Sequence, residues 1–338
     1  MKKTTIAIIG VALVIMLLVV TGCGGGGGNQ QAAKPKPILL RVGYIFAAGS
    51  DADLGAQKFK ELVEKNSNGR IEVQTFTNSQ LGSEADMLNS LSAGSLEMEI
   101  SGEAVITSFE PTFGALTMPF AFRDVDHMLR VFDGPIGKQL DQAFIKDKGV
   151  HVLSIWARAP RNLTANKEIK TPDDLQGVKI RVPVQTTSVE TWKRLGGITT
   201  AMNLSELYSA LQQGVVGAQE NPLDLIFTSS FYQVQKYVML TRHSYVPYVA
   251  TMSNKFYTGL PDELRKVVDD AAKESSVYVK GLVEKGDAQY RAELEKKGMK
   301  FVEVDRKLFM DKMKGLPEEL EKSLKWIPGQ YQEIVNTK

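Results

Sequence analysis

The sequence predicts an α/β fold of two lobes with mostly parallel sheets, on three observations. From Ile38 onward, short apolar or alternating runs of strand character take turns with amphipathic helical stretches, the order that parallel α/β folds require. Glycines close the helical stretches, at Gly69, Gly94, Gly196-Gly197 and Gly214, where a left-handed residue is most easily placed. The chain also has 338 residues, more than the ~250–300 at which a single core stops growing.

The elements follow in order. Leu39 to Ile45 is a buried-strand run. Asp53 to Asn66 carries a helical stripe of Leu54, Phe59, Leu62 and Val63, and Ile71, Val73 and Thr75 then alternate like a strand. Ser83-Glu84-Ala85-Asp86 resembles a capping box that opens a helix with Met87, Leu88 and Leu91 as its buried face. Leu96 to Ile100 is strand-like, and Asp124 to Lys148 is helical with an interruption at Gly134-Pro135. Val150, Val152, Ile155 and Trp156 form the next strand, and a second unit begins near Ala159. Thr171 to Leu175 is a turn into a short helical segment. In the strand Val178 to Val182, Lys179 and Arg181 face away from Val178, Ile180 and Val182. Ser188 to Leu195 and Ser205 to Gln213 are helices, Val215 to Ala218 a strand, and Asn221-Pro222 starts another helix. From Pro261 to Lys297 the apolar spacing is helical. Either one helix of roughly 50 Å crosses both lobes, or Gly281 and Gly286 divide it in two.

The N-terminus is an address. Lys2 and Lys3 precede an apolar run from Ile6 to Val20, shorter than the ~20 residues of a membrane-spanning helix and of signal-peptide length. It ends in Val20-Thr21-Gly22-Cys23, which resembles a bacterial lipobox, with Cys23 the residue that would take a lipid. The alternative is an uncleaved anchor helix with an incidental cysteine; both place the protein outside the cytoplasm. Gly24 to Gly28 and the residues to Pro37 form a flexible linker. With no strand before it and no helix after it, the glycine run is no phosphate loop.

Composition excludes several functions. A net charge of +2, from 41 basic and 39 acidic residues, gives no basic footprint for nucleic acid. A single cysteine rules out an intrachain disulfide framework or cysteine metal cage. His127, His151 and His243 lack ligand spacing and read as surface or satisfied structural residues. GxSxG, HExxH and P-loop patterns are absent. No cofactor is expected. Dispersed side chains could still assemble an enzyme site, so an enzyme stays open as a class.

Several stretches then share one resemblance. They are Leu116-Thr117-Met118-Pro119-Phe120, the run IKTPDDLQGVKIRVP from Ile169 to Pro183, Trp192 to Gly197, Leu211 to Gly214, Gln219-Glu220-Asn221-Pro222, and Tyr232 to Tyr237. Together they resemble the solute-binding receptors of tripartite ATP-independent periplasmic (TRAP) transporters, of the dicarboxylate-binding-protein type, from about residue 40 to about 310. The tether departs from a freely diffusing receptor and implies a lipoprotein form, anchored to the bacterial membrane. The resemblance implies two α/β lobes joined by crossing strands and a long helix, with ligand captured in the closing cleft and delivered to the membrane permease subunits. Together with the N-terminal reading, this gives the expected divisions: a signal peptide at 1–22, a lipidated cysteine and linker at 23–37, lobe I at 38–158 plus 247–286, and lobe II with the C-terminal helices at 159–246 plus 287–338.

The resemblance puts the motif arginine on Arg181, the second cleft arginine on Arg161, with Arg158 a nearby competitor, and the motif asparagine on Asn221. Glu103 and Trp192 complete the expected site. A guanidinium presents two parallel donors to a carboxylate and keeps its charge when desolvated, so arginine suits an organic acid. Each residue has a plainer reading. Arg181 could be a solvated strand residue, Asn221 an N-cap before Pro222, Trp192 a core side chain, and Glu103 half of an internal ion pair. A hydroxylated monocarboxylate such as a sugar acid is the expected ligand, because Glu103 would repel a second carboxylate and Asn162 and Asn221 can serve hydroxyls. A C4-dicarboxylate is the alternative ligand, and a receptor of an ATP-driven transporter the alternative class.

Overall fold

The computed structural model describes residues 36–338. The expected signal peptide, Cys23 and nearly all of the linker lie outside the described residues. Among those described, no helix is long and apolar enough to cross a membrane.

Two sheets organise the chain. The first runs β2-β1-β3-β10-β4, from β1 (Ile38–Tyr44), β2 (Ile71–Phe76), β3 (Met98–Ser101), β4 (Val150–Trp156) and β10 (Tyr248–Ser253). The second runs β11-β9-β5-β8-β6-β7, from β5 (Arg161–Ala165), β6 (Lys179–Val182), β7 (Ile198–Ala201), β8 (Ala218–Asn221), β9 (Tyr237–Ser244) and β11 (Lys300–Val302). The sheets are mostly parallel, as expected, and each is mixed through a single reversed strand. In the first only β10 is reversed, pairing antiparallel with β3 and β4. In the second only β5 is reversed, between β8 and β9. These two strands follow the crossings: β4 of one sheet leads into β5 of the other, and β9 leads back into β10. A chain that crosses without an intervening helix arrives pointing the other way.

The helices between strands start and stop on local signals. Ser50 caps α1 (Asp51–Asn66) by accepting from the Asp53 N–H, and its first turn carries two acids, which suit the helix dipole. Phe59, Leu62 and Val63 bury its inner face, each contributing ~1.5–3 kcal/mol. Ser83 and Asp86 make the expected capping box of α2 (Glu84–Ala93), which ends at left-handed Gly94. α3 (Ala104–Phe109) follows β3 directly. α4 (Val125–Asp133) and α5 (Pro135–Lys148) meet at Gly134-Pro135, as the sequence indicates. α6 (Thr186–Arg194) and α7 (Leu204–Gln212) flank β7. β8 falls at Ala218–Asn221, three residues beyond the expected strand, because Gly214 to Gly217 form the turn. α8 (Leu223–Thr228) is therefore capped by Pro222 and not by Asn221.

After the short α9 (Asn254–Gly259), α10 (Asp262–Lys296) is one unbroken helix of 35 residues. Gly281 and Gly286 sit inside it, each costing ~1 kcal/mol of helix propensity, which tertiary packing offsets. Leu264, Val268, Ala271, Val279, Val283 and Leu294 are buried along its length. Its earlier turns bond β4, where Ser276 Oγ donates to the Ile155 carbonyl at 2.8 Å. Its later turns meet elements of the second sheet, with Tyr290 against Phe227 of α8 and Arg291 over Phe301 of β11. The spine thus spans both lobes. Gly55 of α1 permits the close approach, since a Cβ there would lie 2.5 Å from Val279 Cγ2 and 2.6 Å from Trp156 Cζ3. α11 (Arg306–Lys312), α12 (Leu316–Leu324) and α13 (Gln330–Asn336) finish the chain.

Candidate functional site

A cavity lies where strand ends of both sheets converge. Phe46 follows β1, Gly102 and Glu103 follow β3, and Arg158 follows β4; Arg161 opens β5, Arg181 ends on β6 and Asn221 closes β8. Ligands of open α/β sheets bind at such carboxyl ends. Of the residues expected in the site, Arg161, Arg181, Asn221 and Glu103 all line this cavity. Four polar side chains, each at most 5% exposed, are held there because each has a partner.

The motif around Arg181 explains its placement. Thr171 and Asp174 form a capping box in which the Asp174 carboxylate accepts from the Thr171 and Lys170 N–H groups, both at 2.9 Å. That turn feeds β6, whose Ile180 and Val182 enter the core while Arg181 faces the other way. The guanidinium donates from Nε and Nη2 to the Met202 carbonyl at 3.0 and 2.8 Å. Among the described residues it has no carboxylate at ion-pair distance. Burial and neighbouring Arg161 push its pKa down to about 10, so it stays protonated at neutral pH.

Arg161 has the opposite situation. Its Nε and Nη2 donate to the two carboxylate oxygens of Glu220, the latter at 2.8 Å, and Nη1 lies 3.4 Å from Glu103. Burial opposes its charge, but Glu220 and Glu103 outweigh burial and raise its pKa. Burial likewise opposes the Glu220 charge; Arg161 and His243 overcome it and bring that carboxyl to about 2. His243 Nε2 is 2.9 Å from Glu220, and its Nδ1 is 2.8 Å from the Thr241 hydroxyl. The segment Leu116 to Phe120 supports this cluster: Phe120, at φ +60°, donates its N–H to the His243 carbonyl at 2.8 Å.

Arg158, the nearby competitor of Arg161, proves to be part of the same wall. Its Nη1 donates to Glu103 at 2.9 Å, and its guanidinium stacks 5.4 Å from the Phe46 ring centre and 4.8 Å from that of Tyr248. Glu103 therefore forms internal ion pairs with two arginines, the plainer of its two readings. Asn221 Nδ2 donates to Gln219 Oε1 at 2.6 Å and ends a strand, which overturns its reading as an N-cap. Trp192 does not line the cavity. It packs edge-on at 5.2 Å against His243, in the core, with Thr187 and Thr191 the other buried residues of α6.

Sequence reading missed Glu84, Glu220 and Phe46. Glu84 accepts the Gly102 N–H at 2.6 Å, and burial raises its pKa. The signal for Glu220 lay beside Asn221 in the Gln-Glu-Asn-Pro motif: a carboxylate next to a motif asparagine is the natural partner of a buried arginine. A second cavity of about 100 Å³ continues outward from Arg181 and Glu84. Its rim carries Ser79, Ser83, Ser108, Asn203 and Ser205, uncharged hydrogen-bonding groups.

Two α/β lobes, crossing strands, a common spine and a cleft lined by buried arginines are the architecture of a solute-binding receptor. Comparison with known proteins specifies the kind. The family of bacterial extracellular solute-binding proteins, family 7, matches residues 42–323, and the chain belongs to that family. A solute-binding protein of Roseobacter denitrificans is 37% identical over 278 residues, 82% of this chain and 85% of the relative. Its crystal structure, a TRAP periplasmic solute-binding protein with bound L-galactonate, matches with a TM-score of 0.80 over 86% of this chain and 98% of that one, at 35% identity. The sugar acid binding protein of Advenella mimigardefordensis, in complex with galactonate, matches with a TM-score of 0.85 at 32% identity, over 89% and 98% of the two chains. The C4-dicarboxylate-binding periplasmic protein of Rhodobacter capsulatus is 31% identical over 254 residues, 74% of this chain and 75% of that one. The protein is thus an extracytoplasmic TRAP receptor, which binds a small organic acid and delivers it to the membrane permease subunits.

Proposed function

We propose that this receptor captures a hydroxylated monocarboxylate of the sugar-acid class, with the ligand carboxylate on Arg181. The observation that carries the reading is the buried Arg181 guanidinium, bonded to one backbone carbonyl and to no carboxylate among the described residues. A ligand carboxylate meeting it forms charge-assisted bonds in a desolvated site. Asn221 and Glu103 serve ligand hydroxyls, with Glu84 a further acceptor, and the serine and asparagine rim extends the same chemistry outward. Arg161, paired with Glu220 and 3.4 Å from Glu103, sets the local potential, and its Nη1 offers a further donor to the ligand. Trp192 acts through His243, which it holds in place.

Acidic groups at the inner end disfavour a second carboxylate, which supports a sugar acid over a C4-dicarboxylate. The relatives in complex with L-galactonate and galactonate support the same choice. The lobes follow the divisions 38–158 plus 247–286 and 159–246 plus 287–338. Cys23 carries a lipid that tethers the receptor to the membrane, and two acyl chains make such a tether stable. The bound acid leaves chemically unchanged. A thermal-shift screen of residues 36–338, one compact unit, tests the ligand class, because ligand binding raises native stability by mass action. L-Galactonate and other sugar acids are expected to raise the midpoint, and succinate much less; a shift with succinate alone would overturn the sugar-acid reading.

A further inference from the structure

Two buried carboxyl groups outside the ligand cavity have no cation of their own. Asp51, the first residue of α1, is 3% exposed, and Asp224, in the first turn of α8, is 1% exposed. Among the described residues neither takes part in an ion pair. Each is met instead by a phenol from across the crossing. The Tyr290 hydroxyl of α10 is 3.3 Å from Asp51 Oδ1, and the Tyr248 hydroxyl of β10 donates to Asp224 Oδ2 at 3.1 Å. Among the described residues the other Asp224 oxygen has no hydrogen-bond partner. Asp51 belongs to a helix between strands of the first sheet, and Asp224 to the helix that leaves β8 of the second. Tyr248 starts a strand of the first sheet, and Tyr290 packs on Phe227 of α8. The two contacts therefore tie the lobes together reciprocally.

Two buried carboxylates that feel each other's charge cannot both stay ionised without a compensating one. The groups that face them are the Asp51 and Asp224 carboxyls themselves, the Tyr290 phenol from α10, the Tyr248 phenol from β10 and the Arg158 guanidinium from the β4–β5 crossing. The phenols are not acidic enough to matter near neutrality, since burial raises both. Arg158 favours the Asp224 charge, but its closest anion is Glu103, at 2.9 Å in the ligand cavity. It also stacks on Tyr248. The pair is thus connected to the ligand site through one ring and one guanidinium.

We infer that the Asp51–Asp224 pair holds one proton when the lobes are shut, and that ligand capture by lobe closure takes this proton up. The inference rests on the closing-cleft reading above. Burial, then the charge of Asp224, brings Asp51 to about 7 in this arrangement. Opened to water, an aspartate titrates near ~4. Closing therefore binds a proton between those values. Affinity falls as pH rises toward about 7 and is level above it, because both forms are then ionised. Between pH 6 and pH 8 the change is about tenfold, tighter at pH 6.

The test is calorimetric titration with L-galactonate at pH 6, 7 and 8, in two buffers of different ionisation enthalpy at each pH. The parent should take up a fraction of a proton near pH 6.5 and bind about tenfold more tightly at pH 6 than at pH 8. Asp51→Asn and Asp224→Asn, which keep size and hydrogen bonding, should bind with no such slope. A parent without proton uptake, or variants that keep the parental slope, would overturn the inference while leaving the ligand reading intact. Failure of L-galactonate to bind at any pH would count against the ligand reading instead. The linkage is then decided in the ligand-free protein by solution scattering. A radius of gyration that shrinks from pH 8 to pH 6 in the parent, and not in Asp51→Asn, supports it; one independent of pH overturns it.

Discussion

Arg181 spends two of its guanidinium donors on the carbonyl oxygen of Met202, at 3.0 and 2.8 Å. That single oxygen fixes the direction of the side chain and leaves the charge unneutralised. Arg161, by contrast, is closed off by Glu220 and Glu103. The two arginines of the cleft thus differ: Arg161 is closed into the wall by carboxylates, and Arg181 keeps a charge with no carboxylate at ion-pair distance among the described residues.

The wall is tested at Glu220. Replacing it with glutamine leaves the Arg161 charge buried beside a neutral amide, and breaking a buried pair of this kind costs ~3–5 kcal/mol. Denaturant unfolding should show Glu220→Gln less stable by that order at pH 7. The Glu220 carboxyl titrates at about 2 in the fold, below the ordinary ~4.3 of a free glutamate. Its contribution is therefore complete above the unfolded value and is lost as pH falls toward 2. The gap between parent and variant should accordingly narrow below pH 4. A gap that is small at pH 7, or constant down to pH 2, would contradict the pair.

The spine is tested at Gly55. Alanine there places a Cβ 2.5–2.6 Å from Val279 and from the Trp156 ring, and the ring, buried and wedged, cannot swing aside. Overpacking of this sort costs ~1–3 kcal/mol. Gly55→Ala should lower the urea midpoint at unchanged m-value. An unchanged midpoint would mean that α1 and α10 are not in this close contact.

Much of this fold was legible in the sequence because local signals and tertiary demands agree. Ser83 with Asp86, Gly94, and Gly134-Pro135 mark helix ends by mechanisms that need no knowledge of the rest. The strands that build the site were harder. β5, Arg-Asn-Leu-Thr-Ala, is buried on both faces, so it shows no alternation. β8 reads Ala-Gln-Glu-Asn and looks like a loop. Its polar side chains are tolerated because Arg161 and Thr164 on adjacent β5, and His243 on β9 one strand further, bond them. Those partners lie 23 to 59 residues away, so the Gln-Glu-Asn-Pro motif marks Glu220 as a candidate but does not say which cation it meets. The reversal of β5 and β10 follows from the crossings between sheets, which periodicity does not report. For Trp192 the helical spacing was right, but only the assembled core shows that its ring lies against His243.

The tether is tested on the membrane fraction of cells that make the protein. Mass spectrometry should find a mature chain beginning at a lipid-modified Cys23. An intact Met1 terminus in most molecules would contradict the lipobox reading of Val20-Thr21-Gly22-Cys23.

Lobe closure is tested by solution X-ray scattering. A ligand shifts a hinge equilibrium by its preference for the closed form, and both crossings and α10 provide the connections about which the lobes turn. Saturating L-galactonate should reduce the radius of gyration. An unchanged profile at calorimetrically proven saturation would contradict closure.

The most direct test of the central claim is calorimetric titration of Arg181 variants with the acid that the thermal-shift screen identifies. A ligand carboxylate left without its buried cation loses ~2–5 kcal/mol, about thirtyfold or more in dissociation constant. Arg181→Ala, shown to be folded, should bind at least that much more weakly. Arg181→Lys keeps the charge without the planar fork and should also bind clearly less well. An Arg181→Ala protein that binds within about twofold of the parent, the range of an ordinary surface change, would contradict the assignment of Arg181 as the carboxylate's partner.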